Sequence, residues 1–306
     1  SGSACILGAM KKMEVAIENC PLCGSKDLDF LIEPRDWRGS DERFKIVECR
    51  GCSFKITNPR PADEDLGAYY PSDSYVSHTD RPKGLFDRIY FEVQKRNQRD
   101  KLRKIQAFCT SGSLLDYGCG AGSFMAFMQQ NAWEVCGVEI NDEAAQIARE
   151  RTGALVQAPD VHQMEKERWD VITLWHVLEH LSELEERMAE FESGLKKGGH
   201  LFLALPNNAA HDAKVFGPDW AAWDVPIHLW HFDRKSMHQL PDRFKLEWTD
   251  TLPMPFDSYY VSMISAKNQK NPLWPLKGLT TGYSSNRRAI RTGEASSLIY
   301  VLKKPE

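Results

Sequence analysis

The stretch Leu114-Leu115-Asp116-Tyr117-Gly118-Cys119-Gly120-Ala121-Gly122-Ser123-Phe124 constrains this chain more than any other. A short apolar run ends in a turn with glycine at alternate positions, and a helical pattern opens directly behind it. Such glycines let the main chain turn sharply and approach a ligand closely, at the positive end of a helix. The following sequence repeats the strand–helix alternation. Strands are expected at 113–116, 135–139, 154–157, 169–175 and 200–205, with helices at 123–131, 142–151 and 184–195. The run 169–175 is predominantly apolar, with Asp170 and Thr173 the exceptions, as a strand buried on both faces should be. Lys196-Lys197-Gly198-Gly199 stops the helix before the fifth strand. Two further strands at 244–251 and 297–303 complete an α/β, Rossmann-like, seven-stranded sheet with helices on both faces.

Acidic residues at the strand ends decide what the glycine turn can hold, because the turn alone is shared with dinucleotide-binding proteins. Asp116 lies inside the turn, Glu139 ends the next strand and Asp160 follows the third. A pyrophosphate would be repelled by Asp116, whereas an ammonium group would be attracted. Glu139 is placed to accept hydrogen bonds from two ribose hydroxyls, and Asp160 to bind an adenine amino group. The three carboxylates suit a cationic adenosyl ligand. Cys119 reads as a small residue filling a tight turn.

These residues resemble the class I methyltransferases that use S-adenosylmethionine (SAM), over most of 106–303. Asp116, Gly118, Gly120 and Gly122 match the first motif of that family, Glu139 its ribose-binding acid and Asp160 its adenine position. The segment Asp170-Val171-Ile172-Thr173-Leu174-Trp175-His176-Val177-Leu178-Glu179-His180 resembles the fourth-strand motif of the ubiquinone-biosynthesis-like branch. The resemblance implies SAM as cofactor, S-adenosylhomocysteine as product, and Cys119, Phe124, Ile140, Val161, Trp175 and His176 as further cofactor-binding residues.

Ahead of this region, Cys20-Pro21-Leu22-Cys23 and Cys49-Arg50-Gly51-Cys52 form two CxxC pairs. That spacing brings four thiolates to one tetrahedral Zn2+, a closed and therefore structural site. The expected organisation is a zinc ribbon at 13–60, a linker and lead-in helix at 61–105, and a catalytic domain at 106–306. Substrate-side insertions are expected at about 206–240 and 252–296, the latter only partly helical. A ribbon ahead of such a domain is similar to bacterial sugar C-methyltransferases, although Tyr69-Tyr70…Tyr75 and the C-terminal region match only loosely.

Composition limits the partners. The net charge of −4 gives no support to nucleic-acid binding. No apolar run is long enough to span a membrane, no signal-peptide pattern is present, and CxxC pairs of this kind favour a reduced, cytoplasmic setting. The acceptor is expected to be a small or carrier-linked metabolite, with a sugar among the candidates. An RNA or protein methyltransferase using the ribbon as a reader, or a non-catalytic SAM-binding protein, are the alternatives. Oligomeric state is not legible. Candidate catalytic residues are His228 and His231, which follow strand five in an aromatic loop, and Tyr260 at the substrate mouth. Structural roles for both histidines in that aromatic cluster compete with the catalytic one.

Overall fold

A computed structural model describes residues 13–70, 85–270 and 272–306, with the main chain alone for 85–94. Residues 71–84 of the expected linker, Tyr75 among them, lie outside the described residues. So do the side chains of Leu85, Ile89, Phe91 and Val93 in the lead-in helix.

Glu14–Val15 pairs with Arg60–Pro61 around an N-terminal sheet that begins with three strands: β1 (Leu28–Ile32), β2 (Ile46–Cys49) and β3 (Lys55–Thr57). The lead-in helix α1 (Leu85–Gln106) delivers the chain to β4 (Ser113–Tyr117). Then follow α2 (Ser123–Gln130), β5 (Glu134–Val138), α3 (Asp142–Thr152), β6 (Val156–Gln157) and β7 (Trp169–Trp175). The chain continues through α4 (Leu184–Gly194), β8 (Leu195–Pro206), α5 (His211–Phe216), β9 (Trp230–His231) and β10 (Glu247–Pro253). It ends with α6 (Pro255–Asn268), α7 (Trp274–Thr292) and β11 (Ser297–Lys303).

The main sheet has seven strands in the order β10-β11-β8-β7-β4-β5-β6. β11 runs antiparallel to both its neighbours, while β8, β7, β4, β5 and β6 pair in parallel. Leu114, Leu115, Val171, Ile172 and Leu174 are fully buried, as a sheet covered on both faces requires. Local chemistry sets the helix limits. In α3 the Asn141 side chain accepts the Ala144 N–H at 2.9 Å, Asp142 and Glu143 occupy the first turn, and Gly153 ends the helix at φ 64°.

Two features depart from the sequence expectation. The 252–296 region is not a partly helical loop but two long helices packed together. A Cβ on Gly278 would lie 2.6 Å from Met263 Cα, and one on Gly282 would lie 2.9 Å from Tyr259 Cα. The seam is filled by small residues, with Ser258, Ser262, Ser265 and Ser285 all fully buried. The N-terminal strands also recruit β9 from the insertion after strand five, giving a four-stranded antiparallel sheet in the order β9-β3-β2-β1. Phe54 and Ile56, both fully buried, share one core with Leu229, Trp230 and Phe232.

Candidate active site

The glycine turn joins β4 to α2. Gly122 has φ 73°, and a Cβ there would lie 2.8 Å from the Ala148 Cβ, so only glycine lets α2 and α3 pack this closely. The Gly120 N–H donates to Glu139 Oε2 at 2.8 Å, and the Asn141 N–H to Oε1 at 2.9 Å. Glu139 is thereby fixed at the carboxyl end of β5. Asp116, also buried, accepts the Thr173 hydroxyl at 2.7 Å. Burial raises its pKa to about 6. Ile140 and Val161 are exposed apolar side chains beside these acids, at 77% and 59%. Asp160 is exposed next to Val161.

Phe124 and Trp175 meet edge to face, with centroids 5.4 Å apart. Lys101 of α1 places its Nζ 4.0 Å from the Trp175 ring centroid. Burial lowers the Lys101 pKa to about 8, against the pull of Asp116 and Asp257. Trp175 leads into His176, a non-glycine residue with φ 57°. Its Nε2 lies 3.1 Å from Asp257 Oδ2, and its Nδ1 lies 3.4 Å from Glu179 Oε1. Burial lowers the His176 pKa, but the two carboxylates outweigh it and raise it to about 10.

Beyond His176 opens a cavity of about 580 Å3. Its walls include four parts of the chain: Arg35, Trp37 and Arg38 of the N-terminal module; His176 and His180 after β7; Trp220, Asp224 and His228 of the insertion after β8; and Asp257, Tyr260 and Val261 of α6. The Arg38 guanidinium grips the Asp224 carboxylate through two hydrogen bonds, one of 2.6 Å from Nε to Oδ1. The loop carrying His228 is anchored to the 178–181 turn: Leu229 N–H donates to Glu179 O at 2.8 Å and Trp230 Nε1 to Leu181 O at 2.6 Å. His228 Nδ1 lies 3.0 Å from Ala222 O, and burial lowers its pKa to about 4. Burial, with His228 beside it, does the same to His180.

A family model described as a methyltransferase domain matches residues 81–250. The chain belongs to that family. The ubiquinone biosynthesis O-methyltransferase of Pectobacterium atrosepticum is 26% identical over 166 residues, covering 44% of this chain and 69% of that protein. The protein of the same name from Shewanella halifaxensis is 23% identical over 158 residues, covering 47% of this chain and 67% of its own length. Phosphoethanolamine N-methyltransferase 2 of Haemonchus contortus, solved with SAM, overlays at a TM-score of 0.48 with 12% identity, over 68% of this chain and 53% of that one. The protein is an SAM-dependent methyltransferase.

The methyltransferase brings most of the sequence candidates to the carboxyl edge of its sheet. Asp116, Gly118, Cys119, Gly120, Gly122 and Phe124 surround the turn, with Glu139 and Ile140 on one side and Trp175 and His176 on the other. Tyr260 and His228 line the cavity. His231 does not. It sits in β9, its Nε2 2.9 Å from Thr57 Oγ1 and its ring 5.1 Å from that of Trp223, inside the joint between module and domain. Burial pushes its pKa well below the usual value. Three cavity residues escaped the sequence reading, as did the fully buried Glu179 beside His180. Arg38 and Asp224 are far apart in the chain, and Asp257 sits in a helix that the pattern did not reveal. Glu179 was quoted only as part of a motif.

Proposed function

We propose that this methyltransferase moves the methyl group of SAM to an oxygen of a small, hydroxyl-rich acceptor held in the 580 Å3 cavity. That cavity carries the reading. Trp37 and Trp220 offer flat apolar walls, and Arg38, Asp224 and Asn268 offer polar groups, a combination suited to a sugar-like molecule. Oxygen as the acceptor atom draws on the O-methyltransferase names of the two curated relatives. The module closes the cavity instead of presenting a separate reading face, which favours a small acceptor over RNA or protein. The test is transfer of labelled methyl from SAM to a panel of sugars, nucleotide-linked sugars and phenols, with RNA and protein as controls. Label confined to RNA or protein would overturn the small-acceptor reading.

In this reading SAM lies across the glycine turn. Glu139 takes the ribose, Asp116 faces the ammonium group, and Asp160 with Ile140 and Val161 takes the adenine. Phe124, Trp175 and His176 flank the methionine end. Glu139→Ala should weaken SAM binding by about 1.5–3 kcal/mol, roughly ten- to 150-fold, because it removes hydrogen bonds to a charged acceptor. Calorimetry reads this directly, and unchanged affinity would refute the assignment. Affinity should also depend on pH. Ionised Asp116 attracts the ammonium and protonated Asp116 does not, so binding weakens as pH falls through about 6. At pH 5 the loss should reach about tenfold relative to pH 7.5, and Asp116→Asn should flatten the curve.

The four cysteines fit a structural Zn2+. Cys20 and Cys52 Sγ lie 3.5 Å apart, and Cys23 and Cys49 Sγ 3.4 Å apart. A tetrahedral Zn–S4 site with bonds of about 2.3 Å needs edges of about 3.8 Å. A Cβ on Gly51 would come within 3.1 Å of Cys23 Sγ, so a larger residue would intrude on the thiols. When bound, zinc would tie the two knuckles together and so brace the wall that carries Trp37 and Arg38.

A further inference from the structure

Glu179 is fully buried; His176 Nδ1 lies 3.4 Å from its Oε1, and neither carboxylate oxygen makes a hydrogen bond of ordinary geometry among the described residues. A carboxylate in that position is costly unless a cation sits beside it. His180 and His228 flank it, their rings nearly perpendicular at 79° with centroids 4.6 Å apart. One donor atom from each of the three residues falls within 4.8 Å of the others. Both imidazoles turn Nδ1 to a main-chain carbonyl: His180 to Ile227 O at 3.0 Å and His228 to Ala222 O at 3.0 Å. An imidazole that donates its Nδ1 proton to a carbonyl carries its lone pair on Nε2, the arrangement that orients metal-binding histidines. Both rings border the cavity.

We infer that Glu179, His180 and His228 hold a divalent first-row metal ion at the cavity wall, a site separate from the four cysteines. Two imidazoles and one carboxylate form the three-ligand set that leaves coordination positions open. Those positions face the acceptor. This deepens the methyl-transfer reading and rests on it for its chemistry. A hydroxyl oxygen bound to the ion loses its proton more readily, and the proton passes to solvent through the cavity. The oxygen then forms its bond to the methyl carbon as the carbon–sulfur bond breaks, and the electron pair goes to sulfur. His176, 3.4 Å from Glu179 Oε1, is the competing partner: if its imidazolium alone balances Glu179, no metal is needed.

The experiment uses the full chain, stripped of weakly bound metal under conditions that leave the ribbon zinc in place, and titrated with Co2+. One equivalent should bind with visible d–d bands and without the near-ultraviolet charge-transfer band of thiolate ligation. Glu179→Gln should lose that equivalent while keeping the ribbon zinc and SAM binding. Should it fail to fold, His228→Gln gives the same reading. Wild-type protein that takes up no Co2+ under these conditions, or Glu179→Gln that binds it equally well, overturns the site. Turnover that survives chelation in protein with one zinc per chain also overturns it but leaves methyl transfer standing. Co2+ binding without SAM binding would instead keep the metal site and sink the methyl-transfer reading.

Discussion

Replacing Cys49 with serine is expected to strip zinc from the N-terminal module and abolish methyl transfer while SAM still binds. The effect on the module should be large, because structural zinc contributes folding energy on the order of 10–16 kcal/mol. A three-stranded piece of this size has no comparable reserve of its own. Its loss should reach the cavity by two routes. Trp37 and Arg38 leave the wall, and Arg38 releases Asp224, which shares its loop with His228. β9 also loses β3, so Trp230 and Phe232 no longer pack on Phe54. Misplacement by even 1 Å can cost about 100-fold in rate. The glycine turn draws on a different core, built from Leu114, Cys119, Phe124, Met125 and Val135, so calorimetry should still find SAM bound. A zinc-free variant with normal turnover would show that the module is dispensable.

The division between what the chain reveals and what it hides follows the range of the interactions. The glycine turn, the strand-end acids and the CxxC pairs are local patterns, and the sheet built on them follows from strand–helix alternation. The seven strands appear where the alternation puts them. The α6–α7 pair was hidden because its seam is made of small residues, Gly278, Gly282, Ser258, Ser262 and Ser265, while the large apolar side chains of α7, Leu276, Leu279, Tyr283 and Ile290, are exposed. β9 was hidden for another reason. Two residues make no strand pattern, and they pair with Ile56 and Lys55 only because the module folds back onto the insertion. The same fold-back assembles Arg38 with Asp224, an ion pair with no trace in sequence spacing. Lys101 sits in the lead-in helix, where one more lysine in a charged stretch carries no signal until α1 is docked beside Trp175.

His228 and His231 are three positions apart, and sequence alone gives them equal standing. Their surroundings separate them, and paired variants should do the same. His228→Ala should leave SAM affinity almost unchanged, because the glycine turn and its acids lie elsewhere. Turnover should fall by roughly 10²–10⁴-fold, the range for removal of a proton-handling group. That loss follows whether His228 Nε2 takes the acceptor proton itself or holds the ion that acidifies it, since both uses need the same lone pair facing the cavity. His231→Ala should act on stability. Its Nε2–H donates one buried hydrogen bond to Thr57 Oγ1, whose own proton goes to His228 O, and its ring packs on Trp223. Removing it costs about 1–3 kcal/mol for the hydrogen bond, with a further cost for the void. The melting temperature should drop by several degrees, while turnover per folded molecule at a permissive temperature stays within a few-fold of wild type. Equal loss of turnover in both variants, with no difference in melting temperature, would contradict the division. The contrast arises because β9 begins between the two residues: Trp230 and His231 are committed to pairing with β3, and His228, just before the strand, borders the cavity.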